Sequence, residues 1–110
     1  MAYNSAFSPF GPTYLVGTSS VQVKASNNNN PTSYRVKAML TTTQYFTYAA
    51  PALSDAAVTC PSVSAPSAGV SSVAIGMLPG SVEVFSGIPA NAWFLANAVG
   101  AFEITPGEGL

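Results

Sequence analysis

At 110 residues, 48% of them apolar, the chain is long enough to bury one core without help from disulfides or metal. Three basic and four acidic side chains amount to 6% charge, against roughly 25% in an ordinary soluble domain. The net charge of −1 argues against nucleic acid and anionic membrane as partners, since both need clustered cations. With no histidine and one cysteine, the chain lacks Ser/His/Asp triads, Cys/His pairs, imidazole metal sites, all-cysteine zinc sites and an intrachain disulfide.

Residues 1–12 read as an extended arm. Tyr3, Phe7 and Phe10 are separated by Asn, Ser, Pro and Gly, so the arm either clamps a neighbouring subunit with aromatic anchors or packs on its own domain. No basic or apolar signal region opens the chain, which predicts synthesis in the cytoplasm.

From Ser20 the period is two. Val21, Val23 and Ala25 alternate with Gln22 and Lys24, the pattern of a half-buried strand. Asn27 to Pro31 supplies loop residues, and Tyr34, Val36 and Ala38 then alternate with outward Arg35 and Lys37. The two segments are expected to form a hairpin. A turn centred between Asn29 and Asn30 sets Val23 opposite Val36, Lys24 opposite Arg35 and Gln22 opposite Lys37, bringing all three cations onto one polar face. Like charges across a ladder repel unless an acid offsets them, and Glu83 and Glu103 are the candidates. That face is either a solvated surface with weak salt bridges or a docking patch for an acidic partner.

Thr41 to Tyr48 is rich in β-branched and aromatic residues and predicts one strand, or two short ones joined near Thr42. Residues 51–72 form a long Pro/Ala/Ser-rich connection. Pro51, Pro61 and Pro66 each remove a donor, and a loop this long and uncharged suits a crevice of a neighbouring subunit. Within it, Val58-Thr59-Cys60 can pair briefly as an edge strand, with Cys60 as a small apolar residue. Val73 to Met77 and Ser81 to Phe85 flank a Pro79-Gly80 turn and predict a second hairpin with Val82 and Val84 inward. After a turn at Gly87 to Asn91 come a most apolar strand, Trp93 to Ala96, and a last one, Gly100 to Thr105. The longest apolar tract, Ala92 to Phe102, is broken by Asn97 and Gly100 and falls short of the roughly 20 residues that span a bilayer. The expected fold is a single all-β domain of about seven to nine short antiparallel strands, as a β-sandwich, jelly roll or small barrel.

A search for chemistry returns no catalytic, cofactor-binding or metal-ligating set. Glu83 and Glu103 are the one carboxylate pair to weigh as a glycosidase-like couple, though both occupy polar slots of predicted strands. Gly107 and Gly109 follow the last predicted strand and open no helix, so no phosphate loop is present. Tyr34, Phe46, Trp93 and Phe102 fall at apolar phase and are expected in the core rather than on a sugar-stacking platform.

Several short phrases of the chain carry a likeness: Tyr3-Asn4-Ser5-Ala6-Phe7 with Phe10-Gly11-Pro12-Thr13, Ser81-Val82-Glu83-Val84-Phe85, Trp93-Phe94-Leu95, and the ending Ile104-Thr105-Pro106-Gly107-Glu108-Gly109-Leu110. With its scarcity of charge, the chain resembles the short proteins encoded among the head genes of tailed bacteriophages. The resemblance implies a capsid decoration, or cement, protein with a jelly-roll or related β fold. Such a protein assembles as a dimer or trimer on the outside of the virion shell, bridges neighbouring major capsid protein subunits and needs no cofactor. None of the phrases transfers a contact residue. The residues themselves nominate Tyr3, Phe7, Phe10, Lys24, Arg35 and Lys37 as intersubunit contacts, and deleting residues up to Phe10 is expected to abolish shell binding while leaving the fold intact. A tail or fibre component shares this composition. A carbohydrate-binding module would require a row of exposed aromatics on one sheet face.

Overall fold

The computed structural model describes residues 7–26 and 29–109. Its strands are β1 (Ser8–Pro9), β2 (Tyr14–Val16), β3 (Val21–Gln22), β4 (Ser33–Ala38), β5 (Gln44–Ala49), β6 (Ile75–Met77), β7 (Val82–Ser86), β8 (Trp93–Ala96) and β9 (Phe102–Glu108). One sheet has the order β1-β9-β4-β7 with β2 also on β9, and the other has the order β3-β8-β5-β6.

The order has a simple origin. β2 pairs with β9, β3 with β8, β4 with β7 and β5 with β6, all antiparallel. These are four nested pairs of one long hairpin, with its apex in the connection at 50–74. Rolling that hairpin up brings β9 beside β4 and β8 beside β5, which closes two sheets face to face. The protein is therefore an all-β sandwich with the strand order of a jelly roll. Gly80 and Gly100, at φ 75° and 66°, take the left-handed backbone that turns two of the arches between sheets.

The inward faces meet in an aromatic core. Val16, Tyr34, Val36, Ala38, Phe102 and Ile104 come from the first sheet, and Phe46, Met77, Phe94 and Ala96 from the second. Phe46 sits at the centre, with ring centroids 5.2 Å from Phe102, 5.6 Å from Phe85 and 6.0 Å from Phe94, the first two edge to face. Tyr34 packs edge-on against Phe94 at 5.1 Å. Its hydroxyl donates to the Pro89 carbonyl at 2.6 Å and accepts from the Ala92 N–H at 3.1 Å, tying β4 to the turn that launches β8. Burial pushes this phenol above its ordinary value, partly offset by hydrogen bonds with the backbone of Ala92 and Asn91.

Several expectations need correction. The hairpin of β3 on β4 does not form, because the two strands lie in different sheets. Val21 and Gln22 face Phe94 and Trp93, while Lys37 faces Glu103 and Arg35 faces Thr105. Alternation fixes which face a residue takes but not which strand lies beside it, so the apolar-to-apolar register was satisfied by other partners. The three cations consequently share no face. Of the expected loop at 27–31, Asn27 and Asn28 lie outside the described residues.

β6 and β7 likewise lie in different sheets, joined by an arch in which Ser81 N–H and Oγ both bond the Leu78 carbonyl. Within β7 the phase is the reverse of that expected. Phe85 lies opposite Tyr34 and packs inward on Phe46, which places Val82 and Val84 on the outer face opposite Lys37 and Arg35. Burying one phenyl ring outweighs burying two valines at the margin of a sheet. Glu83 then takes an inward slot of an edge strand, a device that discourages edge-to-edge pairing.

The last strand does not stop at Thr105 but runs through Pro106 and Gly107 to Glu108. Phe10 N–H donates to the Pro106 carbonyl at 2.8 Å, and since proline has no N–H to return, the Phe10 carbonyl accepts instead from Ser26 N–H at 2.8 Å. Gly107 is needed for close approach: a Cβ there would fall 2.6 Å from the Phe7 ring and onto the Ser8 carbonyl oxygen. Trp93, expected in the core, lies on the outer face of the second sheet, its neighbour Phe94 being the one that points inward.

Candidate functional site

The nested topology sends the connections alternately to two ends. The β2–β3, β4–β5, β6–β7 and β8–β9 connections share one end, as the bonds Met39 N–H to Ala101 O, Gly80 N–H to Ala38 O and Ala96 N–H to Gly17 O demonstrate. The β3–β4, β5–β6 and β7–β8 connections occupy the other. At the first end the linking residues are Gly17-Thr18-Ser19-Ser20, Met39-Leu40-Thr41-Thr42-Thr43, Leu78-Pro79-Gly80-Ser81 and Asn97-Ala98-Val99-Gly100-Ala101, with no charged side chain among them.

Three of these four turns hold a large apolar side chain out into solvent. Met39 is 40%, Leu78 70% and Val99 79% exposed. Leu15 and Val82, also exposed, flank the same end on the outer face of the first sheet, where Leu15 faces Glu103 and Lys37 faces both Glu103 and Val82. The exposed part of such a side chain adds nothing to the domain's own core, and removing it from water gains roughly 25 cal/mol per Å² of apolar surface. The end is thus uncharged, with Met39, Leu78 and Val99 exposed among Ser, Thr and Asn side chains. Sequence periodicity missed Met39, Leu78 and Val99 because they lie outside the strands, and the available signal was an apolar residue placed within a turn.

The nominated contact residues disperse. Phe7 is half-buried over Gly107 and lines a groove on the outer face of the first sheet together with Pro9, Pro12, Thr13, Arg35 and Thr105. Phe10 is tied by its backbone to Pro106 and Ser26. The arm from Phe7 onward therefore lies along its own β9. Tyr3 lies outside the described residues. Lys37 shares the outer face with Arg35, while Lys24 follows β3 at the other end of the molecule. The structure brings Phe7 and Arg35 together in one groove, while Lys24 lines a different hollow with Gln22, Asn91 and Trp93.

Glu83 and Glu103 alternate onto opposite faces of the first sheet, one opposite Val36 and the other opposite Lys37, so they flank no common bond. No group of three or more Cys, Asp or Glu side chains comes together among the described residues. In the long connection, Val58 to Cys60 forms no strand. Cys60 is buried, with its N–H bonded to Ser20 Oγ at 3.1 Å, and the Thr47 hydroxyl holds the neighbouring Pro61 carbonyl at 2.6 Å. Burial pushes the Cys60 thiol up, partly countered by the Ser20 hydroxyl, which leaves little thiolate.

The chain matches no protein-family model, no curated protein and no solved structure.

Proposed function

We propose that the protein is a non-enzymatic structural component of a tailed-phage virion, a decoration protein that binds the outside of the capsid lattice and bridges neighbouring major capsid subunits. The observation that carries this reading is the uncharged end bearing Met39, Leu78 and Val99. An apolar contact of this kind loses little to desolvation of charge, and many identical copies bound only to the assembled lattice stabilise it by mass action. The jelly-roll order supports the reading as an analogy, since viral capsid domains use it, though a fold alone assigns no function.

In this account the sandwich is a rigid spacer and its apolar end is the adhesive. Assembly into dimers or trimers places two or three such ends on adjacent capsid subunits, which raises avidity without new contacts. The test adds purified protein to expanded shells lacking it and measures co-sedimentation. Wild type is expected to saturate the shells, and a variant with Met39, Leu78 and Val99 all changed to Ser to lose at least tenfold in affinity while keeping a cooperative thermal unfolding transition. Equal binding by the variant refutes the assignment of this end. Binding to tails instead of shells moves the protein to a tail or fibre role.

A further inference from the structure

At the end opposite the uncharged turns, the long connection folds back over the outer face of the second sheet and walls one side of an open pocket of about 260 Å³. Its wall includes Trp93, Gln22, Asn91, Lys24, Pro51 and Asp55. Gln22 and Trp93 are register partners on β3 and β8, so their side chains stand side by side on the sheet.

Asn91 organises this wall. At φ 54° it is the one non-glycine residue among the described residues in the left-handed region, a conformation that asparagine tolerates. Its carbonyl accepts Gln22 Nε2 at 3.0 Å and its Oδ1 accepts Ala25 N–H at 3.0 Å. Those bonds leave Gln22 Oε1 and Asn91 Nδ2 as an acceptor and a donor for a ligand. The Trp93 Nε1 donor is buried and has no partner among the described residues. A stranded buried N–H costs about 1–3 kcal/mol.

We propose that this pocket binds a single neutral sugar ring. Trp93 contributes indole surface to the wall for the ring's C–H groups, Gln22 and Asn91 supply both polarities of hydrogen bond, and Lys24 and Asp55 provide one charge of each sign. An anion would also meet the like charge of Asp55 and a cation that of Lys24, whereas hydroxyl groups donate to Asp55 and accept from Lys24. The volume lies just under the roughly 300–1,000 Å³ of sites for drug-sized ligands, which fits one ring. Trp93 is half-buried beneath the connection and Tyr45 lies over Gly76. Those two do not form the open row of stacked rings that a polysaccharide platform needs, so the site takes a terminal or free monosaccharide.

Trp93 is the chain's one tryptophan, so its indole N–H gives a single, unambiguous proton–nitrogen NMR signal. The full-length protein is titrated separately with glucose, galactose, mannose and N-acetylglucosamine up to roughly 10 mM, which reaches into the weak range of one-site binding. Glycine, a zwitterion that Lys24 and Asp55 could both pair, and sulfate, an anion, serve as the controls. The expected result is a saturable shift of the indole signal by at least one sugar and by neither control. Asp55→Asn, at an exposed loop position, is expected to weaken that binding roughly tenfold or more with the rest of the spectrum in place. The proposal is overturned by an indole signal that no sugar moves, by one that moves with glycine or sulfate but not with sugars, or by Asp55→Asn binding as tightly as wild type. Shell attachment uses the opposite end of the molecule, so it stands or falls separately.

Discussion

Replacing Tyr34 with phenylalanine isolates the contribution of one oxygen atom. The ring and its edge-on contact with Phe94 remain. Lost are the 2.6 Å bond to the Pro89 carbonyl and the 3.1 Å bond from the Ala92 N–H, the latter belonging to a residue that is 0% exposed. A neutral hydrogen bond contributes about 1 kcal/mol net, and a stranded buried amide costs about 1–3 kcal/mol, so Tyr34→Phe should lower stability by about 2–4 kcal/mol. For a domain of this size that corresponds to a fall in Tm on the order of 10 °C. Urea unfolding is the direct assay, with the midpoint falling and the m-value unchanged. The pH dependence supplies an independent sign. Burial raises the folded phenol above the ordinary value of 10.0, so Tyr34's share of stability is complete below pH 10.0 and is lost as pH rises from there through the folded value. The gap between wild type and Tyr34→Phe should therefore narrow above pH 10.0. A loss under about 0.5 kcal/mol, the level of a neutral surface change, or a gap that widens with pH, refutes this account of the core.

Two further outcomes follow from the packing. Gly107→Ala drives a methyl group into the Ser8 carbonyl and the Phe7 ring, so it should cost about 1–3 kcal/mol as overpacking and speed hydrogen exchange at Ser8 and Phe10, whereas protection equal to wild type would mean that β1 does not depend on this approach. Cys60 should react slowly with a thiol reagent in the folded protein and at the rate of a free thiol in urea, with the folded rate still rising as pH passes 9.0; fast native labelling at neutral pH contradicts its burial.

The strands were legible because alternation reports which face a residue takes. Tyr34, Val36 and Ala38 were assigned inward and are buried in the core. Partnership was not legible, for the same physical reason. Val23 opposite Val36 satisfied alternation locally, while the pairing in the structure depends on β8 and β9, some 70 residues away in sequence. In β7 apolar residues occupy both parities, and only the position of Phe46 decides that Phe85 turns inward. Pro106 and Gly107 read as a tail because each lowers strand propensity, yet the Phe10 carbonyl finds a different donor and Phe7 needs the space.

The candidate surfaces were harder to read than the core. Met39, Leu78 and Val99 are far apart in the chain and converge only because nested pairing sends alternate connections to one end. The free-arm expectation weakens for a related reason. Since β1 pairs with β9, deleting residues up to Phe10 would uncover a strand edge as well as any contact with a neighbour, and its effect on shell binding would not isolate the arm. Substitutions at Leu78 and Val99 avoid that difficulty, because those side chains are mostly exposed.

The most direct measurement of the central claim is cryo-electron microscopy of the assembled particles produced together with the protein, asking where a jelly roll of this shape sits. The account predicts copies at fixed lattice sites over the outer shell, each with the Met39, Leu78 and Val99 end against the junction between major capsid subunits. Density confined to the tail, or shells with no copy of the domain, would contradict it.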